Sequence, residues 1–453
     1  MITAKVFSGK SYCVLGLARS GMATVETLLA SGARVTAWDR REEPREALAG
    51  RCDIGDPLEI DLTGFDGIVV SPGVPLNTHP IAERARAAGV PIIGDIELFA
   101  LARAELPAHR VVGITGTNGK STTTALVHHL LREADVPALL GGNIGLPVLG
   151  RDPVAEGGVY VFELSSYQID LTRSLACEVA ALINITPDHL DRYDDFAAYA
   201  FAKGRLFTMQ GAGQFAVFGC ADAPTSAIQQ AEAARRPDGR AMCVDAWAWE
   251  PFQKDWPSLQ GPHNLQNAAI AAALTQQLGL SRDQVLAGLA SFAGLPHRME
   301  RMGSAGGVLF INDSKATNPA STAPALAAYP REAGRPRVHW ICGGLAKEDN
   351  LNDCAPHFGN VACAYTIGEA GPMFADLLAP HMPVERCELL AEAVSRSIAA
   401  ATQGDVILFS PACASFDQFR DYEARGDSFR ELAASIGCDA TPVECGFDSR
   451  SAA

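Results

Sequence analysis

The sequence predicts an α/β protein of three domains. The expected layout is a Rossmann-like domain over 1–98, a central P-loop-type domain on a mostly parallel sheet over 99–298, and a second Rossmann-like domain over 299–453. Three observations predict it. A chain of 453 residues exceeds what one hydrophobic core serves. Short apolar, β-branched runs alternate with helix-length stretches along its whole length. Glycine-dense or polar loops stand where those runs end, the edge at which α/β proteins hold ligands.

In the first domain, 11–17 reads as a strand, Gly16-Leu17-Ala18-Arg19-Ser20-Gly21 as a turn, 22–30 as a helix and 33–38 as a strand closed by Asp39. This is the opening βαβ unit of a Rossmann-like sheet. Ala18 stands where the second glycine of the dinucleotide fingerprint would let a pyrophosphate approach, so the turn is weak support for a nicotinamide cofactor. Asp39 suits a ribose hydroxyl, another part of a nucleotide, or plain solvation at a strand end. The run 68–70 enters Ser71-Pro72-Gly73-Val74-Pro75, a stiff turn at the ligand edge. Residues 94–98 lead to a helix over 99–104, where the first boundary falls.

The central domain is organised around 111–123. An apolar run enters a loop with glycines at 113, 116 and 119 and leaves as a helix through Lys120, Ser121, Thr122 and Thr123. Such a loop presents backbone N–H groups to phosphate; Lys120 adds charge and the Ser121 hydroxyl is a candidate Mg²⁺ ligand. Ile114 occupies the first glycine position of the Walker pattern, leaving the shorter Gly116-Thr117-Asn118-Gly119-Lys120-Ser121. The alternative is a strand-to-helix turn that binds nothing.

Four further stretches of this domain carry polar groups. The helix 121–133 packs Ala125, Leu126, Leu130 and Leu131 on a sheet, with His128 and His129 structural. Gly141-Gly142-Asn143-Ile144-Gly145 can lay an amide against an oxygen-rich ligand, and the strand 159–162 ends in Glu163, a carboxylate able to hold Mg²⁺. The strand 180–184 is followed by Asp188-His189-Leu190-Asp191-Arg192-Tyr193, whose histidine is a metal ligand or an ordinary loop residue. Lys203 reads as a solvated helix charge. Asn264 and Asn267 precede an alanine-rich helix over 268–278, as caps or as purine-recognising amides.

Beyond a joint at 294–298, strands at 308–311, 338–342 and 406–409 run into Asn312-Asp313-Ser314-Lys315-Ala316-Thr317-Asn318, Gly343-Gly344-Leu345-Ala346-Lys347 and Ser410-Pro411-Ala412-Cys413-Ala414-Ser415-Phe416. Three polar loops thus share one sheet edge. The tail from about 438 is expected to fray.

Composition narrows the function. With 48% hydrophobic and 20% charged residues the chain is an ordinary globular protein, and a net charge of −15 excludes a general nucleic-acid or anionic-membrane surface. Anionic small ligands must then meet local cations such as Lys315 and Lys347. The apolar run 12–18 is cut by Arg19 and reads as a strand, not a secretory signal, and no run suits a membrane span, so a cytoplasmic protein is expected. Twelve cysteines without a Cys-x-x-Cys pair support neither a zinc site nor a redox motif; most are expected as buried small apolar residues.

Taken together, Gly116 to Ser121, Gly141 to Gly145, Glu163 to Gln168, Asp188 to Tyr193 and Leu295-Pro296-His297-Arg298 resemble, in order, the Mur ligases, ATP-dependent amide-forming enzymes of peptidoglycan precursor synthesis. The first of these is shared with folylpolyglutamate synthases. The loops 312–318 and 410–419 look like the D-glutamate-adding branch, and the Asp-Asn-Pro-Arg segment of the diaminopimelate-adding branch is absent from the carboxy-terminal third. The resemblance implies action on ATP, D-glutamate and UDP-N-acetylmuramoyl-L-alanine through an acyl phosphate, with two Mg²⁺ ions; a monomer is expected.

By that resemblance Gly116 to Thr123, with Lys120, hold the ATP phosphates, and Asn267, Arg298 and Asp313 the rest of the nucleotide. Lys315 meets the transferred phosphoryl group. One Mg²⁺ falls to Ser121 and Glu163, the other to His189 and to Lys203 as its carbamate, because a bare ammonium repels a cation. Thr317, Lys347, Ser415, Phe416 and Tyr422 receive D-glutamate. The UDP substrate meets Gly16, Leu17, Ala18, Arg19, Asp39, Arg40, Arg41, Ser71 and Gly73, with Asn143 and His189 on its muramoyl-alanine side. Hinge closure about 294–298 would unite the substrates. A sibling ligase or a folylpolyglutamate-synthase-like enzyme differs in the amino acid accepted. An NAD oxidoreductase or a non-catalytic nucleotide scaffold leaves the carboxy-terminal lysines without a task.

Overall fold

A computed structural model describes residues 1–188 and 192–438. His189 and the tail expected to fray beyond Cys438 lie outside the described residues. Among the described residues the chain packs as two compact units, 1–245 with 267–288, and 246–266 with 289–438. Among the described residues no helix is long and apolar enough to cross a membrane.

The first unit holds two parallel sheets. Strand order in the first is Asp53–Ile54, Arg34–Trp38, Ser11–Leu15, Gly67–Val70, Ile92–Ile93. The order reverses between Ser11–Leu15 and Gly67–Val70, and such a switch point opens a crevice at the strands' carboxyl ends. The turn at Gly16 and the turn at Ser71 therefore lie side by side: Ser71 Oγ donates to the Gly16 carbonyl at 3.1 Å. The helix after the first strand is Arg19–Ala30, three residues earlier than its apolar pattern indicates, and its extended N-cap Ala18 offers no side-chain hydrogen bond.

The second sheet runs Ala241–Cys243, Phe215–Phe218, Val179–Leu182, His109–Thr115, Gly158–Glu163, Ala138–Gly142. His109–Thr115 is central and fully buried from Val111 on, which accounts for its unbroken apolar run. Its register pairs Ile114 with Glu163 on one side and Thr115 with Leu182 on the other. The loop that follows is thus flanked by the ends of those two neighbours. The short strands Phe215–Phe218 and Ala241–Cys243 lie beyond any motif, and Cys220 and Cys243 beside them are joined as a disulfide. That pair departs from the expectation for the cysteines. Seven of the other described cysteines are buried and two are partly so.

The alanine-rich helix begins at Pro262 rather than 268 and spans Pro262–Gln277. Proline suits a first helical turn, so Asn264 and Asn267 lie inside the helix and capping is not their role. Both are buried.

The third sheet, in the second unit, has the order Glu300–Ala305, Val308–Asn312, Val406–Phe409, Val338–Gly343, Val361–Ile367, Val384–Glu388. All neighbours are parallel except the first pair, an antiparallel hairpin closed by Gly306 and Gly307. Asn312 pairs with Phe409, and Phe409 with Ile341. The three polar loops therefore leave adjacent strands at one edge.

Candidate functional site

In the first unit the phosphate loop is built from glycines that tolerate no side chain. Gly119 has φ +83°, and a Cβ there would lie 2.3 Å from Asn267 Oδ1; at Gly116 it would lie 3.0 Å from Ile183 Cβ. Asn267 Oδ1 accepts from the Thr123 hydroxyl at 3.3 Å, so the amide sits against the start of the helix Lys120–Glu133. The loop is held open from the neighbouring strand. Asn184 Oδ1 accepts the N–H groups of Thr117 (3.2 Å) and Asn118 (2.8 Å), and its carbonyl accepts Thr117 N–H at 2.9 Å. Thr117 Oγ1 also lies 3.2 Å from the Tyr199 hydroxyl. Asn184 was missed as a site residue, and its only signal was a polar side chain just after a buried strand.

Two lysines converge on this loop. Lys120 Nζ donates to the carbonyls of Gly116 (3.0 Å) and Thr117 (2.8 Å), and Lys203 Nζ to the same Gly116 carbonyl at 2.8 Å. Lys203 is 1% exposed, lying 4.5 Å from the Tyr199 ring centroid. The solvated helix charge read from its position is thereby corrected: helix Phe196–Thr208 turns this face inward. Burial, then the neighbouring Lys120 charge, push the Lys203 amine well below its ordinary value, toward the neutral form.

Glu163 ends its strand 2% exposed. Its Oε1 accepts the Asn143 amide at 3.0 Å, and the Asn143 N–H reaches the Glu163 carbonyl at 2.8 Å. Gly142 permits this embrace, since a Cβ there would meet that carbonyl at 2.1 Å. Glu163 Oε2 is buried with no hydrogen-bond partner among the described residues. A buried carboxylate oxygen left so is uncompensated until a cation or donor arrives. Its chemistry, with the buried Ser121 hydroxyl, fits a hard divalent cation. Among the described residues no group of three His, Cys, Asp or Glu forms a metal cluster.

The turn Gly16 to Gly21 is equally closed. A Cβ at Gly21 would lie 1.9 Å from the Gly16 carbonyl. Asp39 fastens it, accepting Leu17 N–H at 2.7 Å on one oxygen and Arg41 N–H at 2.9 Å on the other. Burial pushes the Asp39 carboxyl up, but those N–H groups and the Arg41 guanidinium outweigh it and hold it below the usual range. Leu17 is buried in the core, whereas Ala18, Arg19, Arg40, Arg41 and Gly73 are exposed at the edge. Arg192 lies 4.3 Å from the Tyr167 ring centroid and donates to the Val74 carbonyl at 3.0 Å.

In the second unit the three loops form one polar edge. Asp313 is 6% exposed; its oxygens accept Met299 N–H at 3.0 Å and the Ser410 hydroxyl at 2.7 Å. Burial pushes its carboxyl from the ordinary 3.8 up to about 7, against those hydrogen bonds and the charge of Arg298. Lys315 Nζ lies 3.8 Å from the Tyr422 ring centroid, and Lys347 Nζ donates to Thr317 Oγ1 at 3.4 Å. Ser415 is buried, Phe416 is 71% exposed, and an open cavity of about 550 Å³ adjoins Lys347 and Met373. Cation, hydroxyl and aromatic groups at one edge suit a small anionic ligand. Ser410 entered only as the first residue of its loop, and Arg425 was missed, because nothing local distinguishes a helix arginine.

The comparisons with known proteins agree along the chain. Residues 10–94 match the Mur ligase MurD-like N-terminal domain, 114–238 the Mur ligase middle domain and 297–413 the Mur ligase glutamate ligase domain. UDP-N-acetylmuramoylalanine--D-glutamate ligase of Novosphingobium aromaticivorans is 66% identical over 96% of this chain and 97% of its own. The enzyme of that name from Zymomonas mobilis is 51% identical over 96% and 100%. Among solved structures, MurF ligase from Thermotoga maritima in complex with ADP superposes with a TM-score of 0.58 at 15% identity over 95% and 94% of the two chains. UDP-N-acetylmuramate-alanine ligase MurC from the same organism gives 0.55 at 18% over 94% and 99%. At those identities the structures attest the fold. The sequence relatives, matched nearly end to end, attest more: this chain belongs to the Mur ligase family.

Proposed function

We propose that the protein joins D-glutamate to the alanyl carboxylate of UDP-N-acetylmuramoyl-L-alanine at the expense of ATP, as a cytoplasmic monomer in peptidoglycan precursor synthesis. One observation carries the reading. A phosphate loop with two lysines on one carbonyl lies beside a carboxylate with an uncompensated oxygen, in a chain 66% identical to a ligase of that name. Residues 1–98 take the uridine part through the Gly16 turn, Asp39 to Arg41, Ser71 and Gly73. Residues 99–298 take ATP, and 299–453 the amino acid.

A carboxylate does not lose oxide to an amine at a useful rate, so it must first be made electrophilic. The γ-phosphoryl group passes to the alanyl carboxylate, giving an acyl phosphate and ADP. The amine of D-glutamate then attacks the acyl carbon, phosphate leaves, and the amine's proton is lost to solvent. The loop N–H groups and Lys120 hold the phosphates; Asn267 meets adenine, Arg298 and Asp313 the nucleoside, and Lys315 the transferred group. Ser121 and Glu163 would hold one Mg²⁺, His189 and carbamylated Lys203 a second. When bound, these ions neutralise charge on the transferring phosphoryl group.

The state of Lys203 supports its modification: only the neutral amine adds CO₂, and burial favours that form. Asn143 and His189 would serve the muramoyl-alanine part, and Thr317, Lys347, Ser415, Phe416 and Tyr422 hold D-glutamate, Lys347 countering a carboxylate. Phosphate release from ATP with UDP-N-acetylmuramoyl-L-alanine tests the reading. Release is expected with D-glutamate, and not with L-glutamate, meso-diaminopimelate or a folate, and is lost in Lys120→Ala. Release with another acceptor in place of D-glutamate overturns it.

A further inference from the structure

The helix Tyr422–Ser435 opens on an Asp421 cap and places Tyr422 and Arg425 one turn apart. Arg425 is 1% exposed. Its guanidinium gives four hydrogen bonds to two loops: Nε to Ser314 Oγ (3.1 Å), Nη2 to the carbonyls of Ser314 (2.8 Å) and Cys413 (3.0 Å), Nη1 to that of Ala414 (3.1 Å). Among the described residues no carboxylate pairs with it, and burial lowers it to about 10. Ser314 precedes Lys315, and its hydroxyl donates to the Tyr422 carbonyl at 2.8 Å. Ala414 precedes Ser415 and exchanges both backbone hydrogen bonds with Leu345, at 3.0 and 2.9 Å, two residues before Lys347. A Cβ at Gly344 would lie 3.1 Å from Arg425 Nη1, so the third loop closes directly over the guanidinium.

We infer that Arg425 is a positioning and specificity-determining residue for the amino acid substrate. It sets the spacing of the loops that bear Thr317, Lys347 and Ser415, and thereby the fit to D-glutamate. The inference rests on the function proposed above. The nucleotide side of the same edge has separate fastenings: Lys315 N–H donates to the His297 carbonyl at 2.9 Å, and Asp313 is held by Met299 and Ser410. Loss of Arg425 therefore falls on the amino acid more than on ATP. Lysine keeps the charge but not the planar fork that serves both loops at once.

The test is phosphate release by the full chain, varying D-glutamate, ATP and the UDP substrate in turn. Arg425→Lys is expected to raise KM for D-glutamate about tenfold or more, with KM for ATP within about twofold, and to narrow the preference for D- over L-glutamate. Ser314→Ala, which removes one of the four bonds, shifts the same constant less. Adding it to Arg425→Lys gives less than the product of the two effects, because both act through one network. Equal rises in all three KM values, or a fall in kcat alone, make Arg425 a scaffold residue and overturn the inference. If Arg425→Lys does not fold, Ser314→Ala alone decides by the same split. Failure of the unmodified protein to release phosphate with D-glutamate is a different result: it ends the functional reading, and this inference with it.

Discussion

The edge of the second sheet and the edge of the third both gather lysines and hydroxyls, by different means. The first centres on one contiguous loop, 116–121, with side chains from other segments closing on it. Gly116 and Gly119 bring backbone within reach of Ile183 and Asn267, and Lys120 of the following helix and Lys203 of a facing one donate to its carbonyls. The third-sheet edge gathers segments nearly a hundred residues apart, and side chains hold it: Ser410 on Asp313, Lys347 on Thr317, Arg425 across two loops. Backbone cradles therefore fail by steric intrusion, and side-chain edges by loss of one shared donor or by a change of protonation.

The comparison is sharpened most by Lys203. Lys203→Ala is expected to lower kcat about 100-fold or more, with partial recovery on adding short carboxylic acids that restore oxygens near the loop. If neither bicarbonate depletion of the unmodified protein nor such rescue has any effect, the carbamate is wrong and the backbone cradle acts without it.

Gly119→Ala tests the steric side. A side chain at φ +83° and 2.3 Å from Asn267 Oδ1 is expected to cost about 1–3 kcal/mol in thermal unfolding and to raise KM for ATP by displacing the amide. Gly73→Ala, at a position with open space around it, serves as the control and should leave Tm unchanged. Equal effects from both would break the contrast.

The gentlest effect at any single pH is a slope. Asp313 titrates near 3.8 in the unfolded chain and about 7 when folded, so between those values the folded state holds the extra proton. Its contribution to stability is full below about pH 4 and is lost as pH rises through about 7, by at most roughly 1.4 kcal/mol per pH unit. Asp313→Asn should flatten that fall in denaturant titrations. An unchanged slope would show that Ser410 and Met299 keep the carboxylate ionised.

The local pattern of the sequence determined much of this protein. Alternating apolar runs and glycine turns set three sheets with polar loops at their carboxyl ends, because strand, turn and helix preferences act over a few residues. Lys120, Ser121 and Glu163 could be proposed as site residues for the same reason: each sits beside a turn or a strand end. Tertiary structure alone decided which loops became neighbours, since that follows from strand order. It buried Lys203 instead of solvating it, drew Asn267 from a helix start into a helix interior against Gly119, and turned Asp39 into a staple for Leu17. Arg425 is the clearest case. In sequence it is one more helix arginine, and its meaning comes only from four carbonyl and hydroxyl contacts that long-range packing brings to a single guanidinium.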